Sequence, residues 1–179
     1  MLSPSETKGV FAIMPTPARE GASELTALNT VDIDEVERVA NSLIADGVDG
    51  IIALGTTGEC ATLSQQDYDS FVQCLIEVVG RRVPVLVGAT ALSGHEIVRR
   101  MRLIRELGAD GTLLGLPMWQ PLSQIGAVEF YAGLSELFPD LAIMAYANER
   151  AFRFSFTNDF VCLFVRANSR TYTRRYRTP

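Results

Sequence analysis

The sequence predicts an α/β fold in which strands and helices alternate, and three observations support this. Short apolar runs alternate with segments whose apolar residues recur at helical spacing, from about residue 10 to residue 165. Runs such as 50–55 show no polar alternation, which is typical of parallel strands covered on both faces. The related segments 47–50 and 108–111 each end a helix and start a strand, and they lie 61 residues apart with two strand–helix units between them. Each unit therefore takes about 30 residues, as expected for βαβ crossovers.

Five strands are expected, followed by helices with recognisable starts. The strands are predicted at 11–17, 50–55, 83–89, 111–117 and 141–147. Three helices are predicted after the capping pairs Asp32 with Glu35, Ser64 with Asp67 and Ser93 with Glu96, and a fourth at 123–138. Strict alternation gives a doubly wound sheet or a (β/α)8 barrel, and the absence of a GxGxxG or P-loop after the first strand weakens the nucleotide-binding alternative. Because a closed barrel needs eight units and roughly 250 residues, we expect an incomplete (β/α)8 TIM barrel of about five units.

Composition limits the partners that the chain can take. The net charge is −5, which argues against nucleic acid as the main partner because phosphate binding needs a basic face. No apolar run reaches the roughly 18–20 residues that span a bilayer, and the N-terminus lacks the apolar region of a secretion signal. Cys60, Cys74 and Cys162 share no metal-like spacing. We therefore expect a cytoplasmic protein with a small-molecule substrate, no metal and no cofactor.

The loop after the second strand is the first candidate site. In such barrels the active site lies where the strands end, and here the sequence reads Gly-Thr-Thr-Gly-Glu-Cys over residues 55–60. The glycines let backbone N–H groups approach a ligand beside the hydroxyls of Thr56 and Thr57, which suits a small carboxylate. The alternative interpretation is a tight turn before a helix.

Two aromatic residues are further candidates. Tyr146 ends the fifth strand and would place a phenol at the barrel mouth, although a core aromatic with its hydroxyl at the rim explains it equally well. Trp119 follows a proline and a methionine in the loop after the fourth strand. A large indole in a loop favours the wall of an apolar or aromatic pocket.

Together these motifs resemble a known enzyme superfamily. The Gly-Thr-Thr-Gly-Glu motif at 55–59 and a tyrosine that ends strand five are similar to the dihydrodipicolinate synthase and N-acetylneuraminate lyase superfamily of class I aldolases. Within it, Pro-Met-Trp at 117–119, Tyr-Ala-Asn at 146–148 and Ala-Phe-Arg-Phe at 151–154 resemble the hydratase-aldolases of aromatic degradation. Dihydrodipicolinate synthases instead tend to carry Tyr-Tyr-Asn after strand four and Tyr-Asn-x-Pro after strand five. The resemblance spans about residues 9–160.

The resemblance implies a function and a set of site residues. It implies cleavage of a benzylidenepyruvate, hydroxylated or carboxylated on the ring, to pyruvate and an aromatic aldehyde by a homo-oligomeric enzyme. The implied catalytic residues are Tyr146 and Thr56, and the implied substrate-binding residues are Thr57, Gly58, Trp119 and Asn148. The alternatives are another pyruvate-dependent aldolase or synthase of this family, or a non-catalytic fragment.

The central residue of the family is a lysine on strand six, about two dozen residues beyond the tyrosine, which forms an imine with pyruvate. Here the stretch 164–172 contains arginines instead, and Lys8 is the only lysine of the chain. Arginine cannot replace lysine because its guanidinium stays protonated. The sequence therefore carries no Schiff-base lysine, and we expect this chain alone to be inactive.

A change in composition accompanies this loss. Residues 1–159 hold all 21 acidic and 11 basic groups, a net charge of −10, whereas residues 160–179 hold five arginines and no acid. We expect residues 1–160 to be the N-terminal part of the aldolase domain and residues 161–179 to be an aberrant basic tail that is not native to the fold. A frame shift between about residues 158 and 168 would explain the change. A tail evolved for an anionic partner would instead show salt-sensitive binding.

Overall fold

The computed structural model describes the backbone of residues 2–3 and 5–175 and the side chains of residues 2–3 and 5–167. The strands are β1 (Phe11–Met14), β2 (Gly50–Ala53), β3 (Val85–Gly88), β4 (Gly111–Leu114) and β5 (Ala142–Ala145). The helices are α1 (Ile33–Ala45), α2 (Gln65–Val79), α3 (Gly94–Glu106), α4 (Gln124–Leu137), α5 (Glu149–Phe152) and α6 (Asn158–Arg175). The predicted alternation of strand and helix is confirmed. Each strand is shorter than predicted, because its last predicted residues already leave the sheet and form the loop above it. β3 and β5 also begin two residues and one residue later than predicted.

The five strands form one parallel sheet in the order β1-β2-β3-β4-β5. Each strand therefore lies beside the next strand along the chain, and the helices between them make the crossovers. This is the strand order of a (β/α)8 barrel rather than of a doubly wound sheet, in which the order reverses at a switch point. Within the described residues β1 and β5 are the edges of the sheet, so the barrel is incomplete.

The helix starts follow from local capping chemistry. The side chains of Asp32, Ser64, Ser93 and Ser123 each accept a hydrogen bond from the backbone N–H three residues further on, which satisfies a donor that the helix itself leaves unpaired. At the other end of α1 and α3, Gly47 and Gly108 have φ values of 84° and 89°. This left-handed conformation costs glycine little, and it turns the chain from the helix into the next strand.

The two faces of the sheet differ in how completely they are covered. One face packs against the helices and forms the main core, which includes Tyr68, Phe71 and Tyr131. On the other face, which would face the inside of a closed barrel, Ile52, Leu86 and Leu113 form a smaller cluster. β2, β3 and β4 are buried throughout, whereas β5 is half-buried along its whole length.

Two helices follow β5 that the sequence analysis does not predict. α5 is a single turn, and α6 begins at Asn158 and packs along α4, where the Phe164 ring meets Tyr131 edge-on at 5.2 Å. α6 runs across residues 160 and 161, the boundary expected between barrel domain and basic tail. The side chains of residues 168–179 lie outside those described, as does the backbone of residues 176–179, so the origin of the tail stays a prediction. No helix of the described residues is long and apolar enough to cross a membrane.

Candidate active site

The loop after β2 starts with an unusual backbone conformation. Leu54 is fully buried and has a φ of 55°, a left-handed conformation that is uncommon outside glycine. It turns the chain sharply out of the sheet and into the loop 55–60. The neighbouring strand makes room for this turn, since a Cβ on Gly88 would lie 1.7 Å from the Leu54 carbonyl oxygen. Only glycine fits at the end of β3.

Two side chains from other elements hold this loop. The Thr16 hydroxyl, beyond the end of β1, donates to the Gly58 carbonyl at 2.7 Å. Arg100 of α3 donates from Nη1 to the Cys60 carbonyl at 2.7 Å. Gly58 itself is buried, and a Cβ there would lie 2.7 Å from the Leu54 backbone nitrogen. The predicted carboxylate loop is thus fixed by Thr16 after β1, by Arg100 of α3 and by the backbone of Leu54 just before it.

The Arg100 guanidinium is a buried positive charge behind this loop. Its residue is 5% exposed, and Nη1 also donates to the Thr90 carbonyl at 2.8 Å while Nε donates to Glu96 at 3.1 Å. The Tyr68 ring lies 4.2 Å below the guanidinium, a distance at which cation–π attraction is favourable. The guanidinium therefore fixes the end of the loop 55–60 and the backbone at Thr90 through their carbonyl oxygens.

Glu96 supplies the negative charge that balances this arginine. Hydrogen bonds from Arg99 hold the pKa of the Glu96 carboxyl below its ordinary value, the bond from Arg100 adds to the effect, and partial burial opposes it. Arg99 also bonds Asp69 of α2 at 3.0 Å. The ion pair between Arg99 and Asp69 therefore links α3 to α2 behind the loop.

Thr56, Tyr146 and Asn148 meet above the sheet. The Thr56 Oγ1 and Tyr146 Oη atoms are 3.1 Å apart, and the Asn148 Nδ2 atom lies 3.3 Å from the first and 3.1 Å from the second. The Asn148 Oδ1 atom accepts the Ala151 N–H at 3.1 Å, as the N-cap of α5. Because this bond occupies the amide oxygen, the amide nitrogen faces the two hydroxyls. We call Thr56, Tyr146 and Asn148 the hydroxyl triad.

Packing fixes the position of Tyr146 in this triad. Its backbone N–H donates to the Leu114 carbonyl at 2.8 Å, and its ring packs edge-on against Phe152 at 5.5 Å between ring centres. Phe152 in turn lies on Gly115, where a Cβ would be 2.1 Å from the ring. The aromatic pair therefore requires glycine at the end of β4.

A cavity of about 220 Å³ opens beside the triad. Its lining residues are Leu54, Gly55, Thr56, Glu59, Cys60, Ala61, Thr62, Thr90, Leu113, Met118, Tyr146 and Phe152. Of the predicted site residues, Thr56 and Tyr146 line this cavity, and Asn148 joins them through hydrogen bonds. Thr57 is exposed at the top of the loop and Trp119 is 70% exposed, so their roles in binding stay predictions.

Sequence reasoning misses several residues that build the cavity. Thr90, Met118 and Phe152 line it, and the Thr90 hydroxyl accepts the Gly115 N–H at 2.8 Å. Arg100 could have been identified from the sequence, because it falls on the apolar face of α3 between Ile97 and Met101. A lone charge on an apolar helix face is rare unless it is paired.

Cys60 lines the cavity as a neutral thiol. Burial raises the pKa of this thiol, and the nearby charge of Arg100 offsets the effect only in part. The described residues contain no group of three or more histidine, cysteine, aspartate or glutamate side chains placed to hold a metal ion. The polar side chains that line the cavity are the hydroxyls of four residues, the Glu59 carboxyl and the Cys60 thiol; the hydroxyls belong to Thr56, Thr62, Thr90 and Tyr146.

The fold and the site define an incomplete β/α barrel in which the loop 55–60 and the hydroxyl triad lie at the C-terminal ends of the strands. The dihydrodipicolinate synthetase family model matches residues 8–151, and the chain belongs to this family. It is 42% identical over 160 residues to a trans-O-hydroxybenzylidenepyruvate hydratase-aldolase of Sphingobium xenophagum, with 89% of this chain and 49% of that protein covered. It is 36% identical over 157 residues to a trans-2'-carboxybenzalpyruvate hydratase-aldolase of Nocardioides sp. (strain KP7), with 86% and 47% covered.

The likeness extends to solved structures. A structure of PhdJ bound to a substrate intermediate superposes with a TM-score of 0.89 at 36% identity, covering 93% of this chain and 51% of that one. The chain thus spans about half the length of the relatives that it matches. The resemblance predicted from the motifs at 55–59, 117–119 and 146–148 is confirmed.

Proposed function

We propose that this chain is the carboxylate-binding and proton-relay half of a class I hydratase-aldolase, a lyase that cleaves an aromatic benzylidenepyruvate to pyruvate and an aromatic aldehyde. The observation that carries the proposal is the hydroxyl triad, in which Thr56, Tyr146 and Asn148 lie within 3.1 to 3.3 Å of one another beside a cavity. The names of the relatives support the substrate class.

The triad is suited to moving a proton. Asn148 donates to both oxygens, so it occupies a lone pair on Thr56 Oγ1 and one on Tyr146 Oη. The remaining contact between these oxygens is then an O–H···O bond in which either can be the donor. A proton can pass along this contact in both directions, as an aldolase needs when it forms an imine and breaks a carbon–carbon bond.

The loop 55–60 is suited to the carboxylate of pyruvate. We propose that Thr56 and Thr57 hydroxyls and the loop N–H groups, including that of Gly58, take the carboxylate oxygens. The Arg100 charge lies behind this loop and is fixed by two carbonyl oxygens, those of Cys60 and Thr90. Donors that are already oriented cost little reorganisation when the anion arrives.

We propose that this chain brings no amine to the site, because Lys8 is its single lysine. Lys8 is exposed and precedes β1, so it lies at the N-terminal end of the sheet, whereas the site lies at the C-terminal end. A strand of four residues separates the two ends by roughly 13 Å. We therefore propose that the 179-residue chain binds pyruvate without forming an imine, and that it releases no aldehyde from a benzylidenepyruvate.

Binding of pyruvate to the purified chain, followed by ligand-observed NMR, tests the carboxylate site. We expect saturable binding that Thr56→Val weakens by about tenfold, the effect of one hydrogen bond to a charged group. Thr7→Val is the matched control, because Thr7 precedes β1 and so lies at the opposite end of the sheet from the site. Equal binding by the parent chain and Thr56→Val would contradict the assignment of the loop.

A second ligand tests the substrate class. The other candidate is another pyruvate-dependent aldolase or synthase, which the family match supports equally well. With pyruvate present, o-hydroxybenzaldehyde should bind the chain in preference to butanal if the substrate is a benzylidenepyruvate. Preference for the aliphatic aldehyde would favour the second candidate.

Reduction with borohydride in the presence of pyruvate tests the proposed inactivity. It should leave the mass of the chain unchanged, and a trapped imine or turnover of the substrate would refute the proposal.

The proposed function also suggests an oligomeric state and a cellular location for the whole protein. We propose a homo-oligomer for the whole protein and a cytoplasmic location, since its substrate would be an intracellular intermediate of aromatic degradation. We also propose a small-molecule substrate and no nucleic-acid partner, in keeping with the net charge of −5.

A further inference from the structure

The loop after β4 carries Trp119 but has few backbone anchors. Trp119 is 70% exposed, and the two residues after it are exposed as well. Within the described part of the chain, the backbone of this stretch makes one long backbone–backbone hydrogen bond, from the Met118 N–H to the Ala91 carbonyl at 3.4 Å. An indole on a loop this open needs a further contact to keep a fixed position.

Arg153 supplies that contact from the other side of the site. Its Nη2 atom donates to the Met118 carbonyl at 3.1 Å and also to the Trp119 carbonyl. Arg153 is the left-handed C-cap of α5, with a φ of 49°, and its N–H donates to the Glu149 carbonyl at 2.8 Å. Hydrogen bonds from a charged donor are stronger than those between neutral groups.

α5 and its two capping residues therefore contact both the hydroxyl triad and the loop that carries Trp119. Asn148 caps its start and bonds the hydroxyls of Thr56 and Tyr146, whereas Arg153 caps its end and bonds the backbone that carries Trp119. Phe152, between them, packs on Tyr146. One turn of helix thus joins the proton relay to the aromatic residue of the loop after β4.

We propose that Arg153 is a positioning residue that ties the Trp119 loop to α5, so that the aromatic wall and the hydroxyl triad keep one fixed geometry. The proposal rests on the proposed function in one respect, that Trp119 faces the aromatic part of the substrate. Arg153 then acts on specificity for the aromatic group through Trp119, and it has no part in carboxylate binding.

Trp119 is the single tryptophan of the chain, so its fluorescence reports on this loop without interference. Time-resolved anisotropy separates local motion of the indole from tumbling of the whole chain. Arg153→Met should increase the amplitude of the fast local component, because the two carbonyl bonds are lost. Arg153→Lys should give an intermediate amplitude, since an ammonium can bond one carbonyl but lacks the planar fork.

Arg150→Met is the matched control. Arg150 lies on the same turn of helix, is exposed, and makes no side-chain hydrogen bond or ion pair with the described residues. Its replacement should therefore leave the anisotropy unchanged. An Arg153→Met chain with the parent's anisotropy would overturn the proposal. If that variant lost its folded circular dichroism spectrum, Arg153→Lys would decide: an amplitude equal to the parent's would overturn the proposal and a larger one would support it.

Ligand binding separates this proposal from the proposed function. Arg153→Met should weaken o-hydroxybenzaldehyde by about tenfold, the equivalent of one charge-assisted hydrogen bond, and leave pyruvate affinity as in the parent. Binding of aldehyde with equal affinity by both chains would overturn the positioning role and leave the function standing. A changed anisotropy in a chain that binds no aldehyde would support the loop anchor and refute the aromatic substrate.

Discussion

The loops after β2 and β4 both follow buried parallel strands, but different contacts hold them in place. The loop 55–60 is fixed by Thr16, by the buried Arg100 and by a glycine that has no room for a side chain. The loop that carries Trp119 is exposed and depends on the side chain of Arg153, which is itself exposed.

This difference matches the two tasks of the proposed site. A carboxylate is the same in every pyruvyl substrate, so donors for it can be fixed in the core of the fold. The aromatic group varies between relatives, whose names give a hydroxy and a carboxy substituent. A loop held by one exposed side chain can change without disturbing the sheet, because surface contacts are far less costly to replace than core contacts.

The largest effect should follow from the loss of the charge behind the carboxylate loop. Arg100→Met leaves the carbonyls of Cys60 and Thr90 buried without a donor and Glu96 without one partner. We expect a decrease in the free energy of unfolding of about 3 kcal/mol, the cost of unpaired buried polar groups, measured by urea denaturation. Arg102→Met, at an exposed position of the same helix, should change it little. Equal effects of the two replacements would show that the loop does not depend on Arg100.

Much of this organisation could be predicted from the sequence. The strand–helix alternation and the helix starts at Asp32, Ser64 and Ser93 are local features, since a cap is set by one side chain and the backbone three residues on. The strand ends were predicted too late because an apolar run does not reveal where the backbone leaves the sheet. Leu54 is apolar and buried, yet its left-handed conformation already belongs to the loop.

The contacts that complete the site were beyond sequence reasoning. Arg100 and Cys60 are 40 residues apart, and Asn148 and Thr56 are 92 residues apart, so only the folded sheet brings them together. α5 is a single turn and shows no helical periodicity. Its role at the site depends on Asn148, which the sequence analysis named only through the resemblance, and on Arg153, for which it predicted no role.

A smaller loss of stability is expected when Gly58 of the carboxylate loop is replaced by alanine. Gly58→Ala would place a Cβ 2.7 Å from the Leu54 nitrogen and 2.8 Å from its Cα atom. Because both atoms belong to a buried backbone, the loop must shift, and we expect a loss of about 2 kcal/mol together with weaker pyruvate binding. Chemical denaturation and ligand-observed NMR measure the two effects. Unchanged pyruvate binding would mean that the loop need not keep this conformation.

The pH dependence of stability tests the pairing of Glu96 with Arg99 and Arg100. The pKa of Glu96 is lowered in the folded chain from an ordinary value of 4.5, so its pairing stabilises the fold above that value and is lost as the pH falls through the folded pKa. Glu96→Gln should cost about 1 kcal/mol at pH 7, a modest amount because the carboxyl is partly exposed. The difference between parent and variant should shrink below about pH 4.5, the ordinary value. A difference that stayed constant with pH would exclude the ion pair as its cause.

The smallest change in the free energy of unfolding is expected at Gly133, a glycine outside both loops, and there the replacement should stabilise the chain. A Cβ on Gly133, inside α4, would meet nothing within 4 Å. Alanine there should stabilise the chain by about 0.5 to 1 kcal/mol, because glycine is a poor helix former, whereas the same replacement at Gly58 should destabilise it. Urea denaturation of the two alanine variants side by side measures both signs. If both replacements destabilised the chain, tight backbone packing would extend to α4, and the contrast between the fixed carboxylate loop and the rest of the molecule would be weaker than the geometry indicates.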